Sequence, residues 1–171
     1  THLTWGVYDA NNNYLEDLSA EGLVGVDFPT GSLSTSVKID LVNGKEYKVI
    51  FWAGADGSPY KVDFKTKQMT YDYNEQNPLL ANQEKYDAFY KYQAVGEVKG
   101  PHSETVTLTR PFAQLNIATA DTQKAKDGGL VVAETKVVVN AYKTLDLVEG
   151  TVADKTTRTY KFSTIPSDAN Y

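Results

Sequence analysis

The chain contains no cysteine. That excludes a disulfide framework, a zinc site built on thiolates and a thiol nucleophile. Methionine occurs once and histidine twice, at His2 and His102. The histidines are far apart, one beside a terminus and one beside a turn, and read as solvated surface residues rather than ligands or a general base. No run of about 18 apolar residues is present, so no segment has the pattern of a membrane-spanning helix. Clustered Lys and Arg are missing too. With 17 basic against 22 acidic residues and a net charge of -5, the chain lacks the electrostatic footprint of a nucleic-acid binder. No serine sits in a G-x-S-x-G elbow, no glycine-rich phosphate loop occurs, and no carboxylate pair is marked by an apolar surround. The expectation is a protein that is not an enzyme and needs no cofactor.

What is abundant points to β structure. The 171 residues are 41% hydrophobic and include 12 tyrosines, enough for one domain with a sizeable core. Aromatic and β-branched runs alternate with Asn-Gly and Asp-Gly pairs, the pattern of short strands joined by tight turns. His2 to Tyr8 is the first strand, with Leu3, Trp5 and Val7 on one face. Tyr14 to Leu18 and Leu23 to Phe28 are weaker strand candidates. Thr35 to Leu41 alternates cleanly, with Val37, Ile39 and Leu41 inward. Asn43-Gly44 predicts a hairpin leading into Glu46 to Ala53, which is apolar on both parities and so predicts a buried central strand. Tyr60, Val62 and Phe64 alternate after the next turn. One short helix is expected within Leu79 to Tyr86, and an extended piece from Asp87 to Ala94. A second short helix is expected over Asp121 to Lys126, capped by Asp121 and Gly128. Leu130 to Tyr142 reads as a deeply buried strand, and Thr144 to Val148 and Thr159 to Ser163 complete the set.

The densest β-forming run is Thr105 to Ala118, TVTLTRPFAQLNIA. Val106 and Leu108 share one parity; beyond Pro111, Ala113, Leu115 and Ile117 carry the other. One apolar face across Arg110-Pro111 requires an extra residue, which a β-bulge supplies at a place where proline is tolerated. The prediction is a long core strand kinked by a bulge at Arg110 and Pro111, with Arg110 paired to a nearby carboxylate or to carbonyls. The fold class expected is all-β: a two-sheet, mostly antiparallel β-sandwich over residues 1–171 with at most one or two short helices. Val49, Phe51, Leu108, Leu115, Ile117, Val137 and Val139 are expected in its core.

The run VTLTRPFAQLNI, the opening WGVYD with its Asn turn, YKVIFWA after a hairpin signal, and DAFY at Asp87 to Tyr90 together resemble the N-terminal domain of fimbrillin-like proteins, the type V pilins and fimbrial adhesins of Bacteroidia. The similarity extends from about Leu3 to about Tyr142, and the Arg-Pro-Phe-Ala-Gln-Leu-Asn element is its most specific part. The resemblance implies an exported outer-membrane lipoprotein of transthyretin-like β-sandwich domains. Such a protein polymerises by strand exchange with other fimbrial subunits and contacts glycans or proteins on other surfaces. Residues after about 143 are expected to lead towards a second domain, and the export signal and lipobox lie outside this sequence.

Two local patterns bear on ligands. Asp9, Asn11 and Asn13 match the first oxygen positions of a calcium loop, but Tyr14 replaces the glycine at the sixth position and Ala20 the glutamate at the twelfth. An Asx-bonded turn is the expected structure. Tyr71, Tyr73, Tyr86, Tyr90 and Tyr92 support an alternative function, an extracellular carbohydrate-binding β-sandwich module. Ordinary sandwich packing, with each hydroxyl reaching water, accounts for the same residues.

Overall fold

The computed structural model describes residues 1–71, 79–80, 84–113, 115, 117, 120–131 and 135–162. About 12% of the described residues are helical, which fits the all-β expectation, and the strands form two sheets. The first sheet has the order β2-β1-β3-β7, with β1 at His2–Asp9, β2 at Val26–Asp27, β3 at Glu46–Gly54 and β7 at Phe89–Glu97. All its pairings are antiparallel. The second has the order β4-β5-β8-β9-β6, with β4 at Tyr60–Asp63, β5 at Gln68–Tyr71, β6 at Leu79–Leu80, β8 at Thr135–Asp146 and β9 at Val152–Phe162. It is antiparallel apart from the short β6–β9 contact. Helix α1 spans Glu16–Val24 and α2 spans Thr122–Asp127.

Strand β3 is central, as its doubly apolar pattern predicts. Its inward parity, Ile50 and Trp52, joins Tyr8, Phe64, Met69, Leu145 and Leu147 in the core between the sheets. Its outward parity, Val49, Phe51 and Ala53, joins Leu3, Trp5, Val7 and Tyr47 in a second buried cluster. Each fully buried large side chain contributes about 1.5–3 kcal/mol, so both faces of β1 and β3 stabilise the fold. The second cluster is not covered by another sheet. It is covered by Leu15 and Leu18, by Phe28, by Val37, Ile39 and Leu41, and by Val106 and Leu108.

Helix α1 replaces the strand expected over Tyr14 to Leu18 and the start of that expected over Leu23 to Phe28, of which Val26–Asp27 forms β2. Its contact face is made of small residues, the buried Ser19 and Gly22 one turn apart, so it has no apolar stripe of helical period to reveal it. Close approach takes the place of bulk. The Ser19 hydroxyl accepts the Val7 N–H at 2.9 Å and donates to the Leu15 carbonyl at 2.7 Å. Short α2 follows the predicted limits, between Asp121 and Gly128. The helix expected within Leu79 to Tyr86 is a two-residue strand and a 3₁₀ turn at Glu84–Tyr86.

The long core strand over Thr105 to Ala118 does not form among the described residues. Thr109 makes an isolated bridge to Tyr90, and no ladder passes Arg110 or Pro111, so the bulge expected there has no strand to interrupt. The physical reason is the missing donor of Pro111 together with the side chains on either side of it, which are anchored in different directions. Val106 and Leu108 lean on the outer cluster, whereas Phe112 packs on the core between the sheets. Leu115 and Ile117, expected in the core, are 69% and 40% exposed. Gln114, Asn116 and Ala118 lie outside the described residues.

Other expectations change as well. Thr35 to Leu41 keeps its predicted alternation of half-buried and exposed residues but forms no ladder among the described residues. Asn43-Gly44 is a turn, Gly44 taking φ 77°, whose N–H bonds to the Val98 carbonyl instead of closing a hairpin. Strand β8 is not deeply buried. Val137 and Val139 are half-buried while Val138 is 63% exposed, the single covered face typical of an antiparallel ladder. Beyond Lys143 the chain remains in the second sheet, because β8 continues to Asp146 and pairs with β9.

Candidate functional site

The first sheet treats its two edges differently. Along β1 every outward position is closed. Leu3 pairs with Val26 of β2, the Val7 N–H goes to Ser19 and its carbonyl accepts the Leu15 N–H, and the Asp9 N–H bonds the Asn13 carbonyl. Gly22 of α1 lies against Trp5 between them. That edge offers nothing to an incoming strand.

The β7 edge is different. Tyr90 exchanges both backbone hydrogen bonds with Thr109, at 2.9 and 3.0 Å. By the strand period of two, Tyr92 and Ala94 present N–H and C=O groups to the same side. Among the described residues that side has no further bridge. The chain from Pro101 to Leu108 lies outside any strand beside this edge; the Gln93 side chain donates to Glu104 at 2.7 Å, and Val106 and Leu108 rest on the outer cluster. The edge ends at Gly96 (φ 75°), where the register with β3 shifts beside Tyr47 and Lys48.

Arg110 and Pro111 bound this edge rather than kinking a strand. The Arg110 guanidinium pairs with the Asp87 carboxylate, as the sequence led us to expect, and its charge lies 5.7 Å from the centre of the Phe89 ring. Beyond Pro111, Phe112 stacks on Tyr60 of the second sheet with ring centres 4.6 Å apart. The Arg-Pro-Phe element therefore fastens β7 to β4.

The Asp9 turn is filled by its own chain. Asp9 accepts the backbone N–H groups of Asn11 and Asn13 and the Asn13 side-chain amide, all within 2.9 Å. The amide and N–H of Asn13 hold its carboxyl below the usual carboxylate range. The other loop oxygens face cations or donors: Lys48 bonds Ala10 O and Asn12 Oδ1, Lys67 bonds Asn12 O, and Tyr92 donates to Asn12 Oδ1. The ammonium groups of Lys48 and Lys67 both bond the turn, from the first sheet and from the loop after β4, so the turn is a structural hub joining both sheets. No group of three or more His, Asp or Glu arranged for a metal occurs among the described residues.

The tyrosines do not make a flat exposed row. Tyr90 and Tyr92 pack half-buried against the core between the sheets, and Tyr73 lies outside the described residues. A concave site of another kind lies between the sheets at the β1–β4 side, with a volume of about 390 Å³. Trp52, Tyr60, Tyr14 and Phe64 form its aromatic walls, and Thr4, Asp63 and Lys65 its polar ones. Burial pulls the Asp63 carboxyl up, but the backbone N–H groups of Thr66 and Lys65 outweigh it and leave the group below its ordinary range. Lys65 pairs with Glu16 at 2.9 Å, and that bond holds its ammonium above the ordinary lysine value. No sequence signal announced this cavity, because its walls come from segments about 50 residues apart.

Residues 7–170 match a family of unknown function (DUF6562). The chain belongs to that family. No curated protein and no solved structure matches it. Within this DUF6562 chain the two histidines stay apart in role. His102 approaches Glu104, at 3.8 Å. His2 holds Asp27 at 2.8 Å through Nδ1 and the Val24 carbonyl at 2.9 Å through Nε2. Two oxygen acceptors on one ring require the doubly protonated form, and the Asp27 bond chiefly raises its pKa. A raised folded-state pKa means stability is present below the ordinary value near 6.5 and is lost as pH rises through the folded value. The thermal midpoint is expected to fall over that window, and a His2→Ala variant scanned across the same pH range should show no such step.

Proposed function

We propose that the chain is a structural and adhesive subunit of a bacterial surface fimbria, assembling by accepting a strand along β7. The observation that carries this reading is the β7 edge, where Tyr92 and Ala94 meet no further strand among the described residues, the Ala94 carbonyl takes a bond from the Gln93 side chain at 3.2 Å, and the neighbouring segment is held by side chains. An incoming strand would take the place of residues 104–108, pairing with β7 and setting apolar side chains where Val106 and Leu108 now rest. Few backbone bonds oppose that exchange, whereas the β1 edge is closed. The resemblance of the Arg-Pro-Phe-Ala-Gln-Leu-Asn element to fimbrillin-like proteins supports the same reading. Its partners are other subunits of the fimbria, its location the outer-membrane surface, and its role adhesion without catalysis.

The test is an edge block. Proline at position 94 removes a donor that no described strand uses, and edge positions tolerate it. For Ala94→Pro in the full-length gene product, stability should stay within about 1 kcal/mol of the parent while polymer formation, followed by light scattering, is lost. Polymers of unchanged length from Ala94→Pro, or no polymer from the parent, would remove the strand-exchange reading.

A further inference from the structure

We infer that the cavity between the sheets at the β1–β4 side binds a neutral sugar residue. Its volume, about 390 Å³, lies in the range of small-molecule sites. The walls select the chemistry. Tyr60 offers aromatic surface to the C–H face of a sugar ring, with the buried Trp52 forming the floor behind it, the two rings edge-on with centres 6.1 Å apart. Tyr60 is itself held, with Phe112 stacked on it and Tyr71 edge-on at 5.2 Å, so the platform is rigid before a ligand arrives.

The polar groups narrow the class further. Asp63 uses Oδ1 to accept the Lys65 and Thr66 N–H groups, and an ionised carboxylate binds sugar hydroxyls by strong charge-assisted hydrogen bonds. The Lys65 ammonium is matched by Glu16, which leaves the local charge negative and disfavours an anionic ligand. The two charged groups that line the cavity, Asp63 and Lys65, also disfavour a purely apolar ligand, since it would take water from them and offer no hydrogen bond in return. Tyr14 lines the same cavity with its ring, while its hydroxyl is buried and has no hydrogen-bond partner among the described residues. The test reads sugar binding and not polymer formation, so the inference stands or falls separately from strand exchange.

The chain has two tryptophans. Trp5 is buried under α1 in the outer cluster, so Trp5→Phe leaves Trp52 as the sole reporter. The probes are the methyl glycosides of glucose, galactose, mannose and N-acetylglucosamine, with sialic acid as the anionic comparison. At least one neutral glycoside should change Trp52 fluorescence saturably. Saturation-transfer NMR on the unsubstituted protein should report the same sugar. Asp63→Asn keeps the turn acceptor, and with Tyr60→Ala it should weaken binding about tenfold or more. The inference is overturned by no saturable response to any neutral glycoside up to about 10 mM. A preference for sialic acid, or binding indifferent to Asp63→Asn and Tyr60→Ala, would overturn it as well.

Discussion

Gly22→Ala should destabilise the protein by about 2–4 kcal/mol, although alanine is the better helix former by about 1 kcal/mol. A methyl group at position 22 would lie 2.2 Å from the Trp5 carbonyl oxygen and 2.7 Å from its indole ring. The carbonyl belongs to the backbone of β1, which is laddered to β3 along its whole length, so it cannot yield without disturbing the sheet. The helix must lift instead, and lifting it breaks the Ser19 bond to the Val7 N–H and uncovers Trp5. The exposed neighbour Ala20 provides the control, since Ala20→Gly should cost only the propensity difference, about 1 kcal/mol. Urea midpoints of the two variants distinguish the cases. A Gly22→Ala protein more stable than the parent would mean that α1 does not pack on β1 at this distance.

Tyr8→Ala should cost about 4 kcal/mol, as truncation of a buried aromatic does. Tyr8 is fully buried between the sheets with Ile50, Phe64 and Leu147, and its ring meets Tyr14 edge-on at 5.8 Å. Its hydroxyl donates to the Phe64 carbonyl at 2.7 Å, tying β1 to the turn after β4. Tyr8→Phe keeps the ring and strands that carbonyl, for an expected loss of about 1–2 kcal/mol. The same burial, with Tyr14 and Asp63 nearby, pushes the Tyr8 hydroxyl far above the ordinary tyrosine range. The unfolded chain then releases its proton first, so stability is full below about pH 10 and is lost as pH rises beyond it. Denaturation midpoints between neutral and alkaline pH should fall in the parent and fall less in Tyr8→Phe. Equal slopes in the two proteins would place the alkaline sensitivity on another group.

Alternation and turn chemistry carried much of the fold. Leu3, Trp5 and Val7 share a buried face, Glu46 to Ala53 is the central strand, and Asp121 and Gly128 bracket a helix, all as their local patterns require. Alternation did not reveal whether an extended segment has a partner. Thr35 to Leu41 and Thr105 to Leu108 have strand patterns and point the predicted side chains at the outer cluster, yet neither joins a ladder among the described residues. The period of two reports which side is apolar; a ladder needs another backbone at hydrogen-bonding distance. Helix α1 escaped for the opposite reason, because its contact with β1 is made by Ser19 and Gly22, which leave no hydrophobic trace.

By itself, then, the sequence determined the β-sandwich class, the buried faces of β1 and β3, and the Asx-bonded turn at Asp9, since each depends on neighbours within a few residues. Only the tertiary structure decided that Arg110-Pro111 ends a pairing instead of bulging a strand, that the β1 edge is closed while the β7 edge is open, and that Tyr14, Trp52, Tyr60 and Asp63 line one cavity. Those features depend on which distant segments meet, and side-chain periodicity along one segment carries no record of what lies across from it.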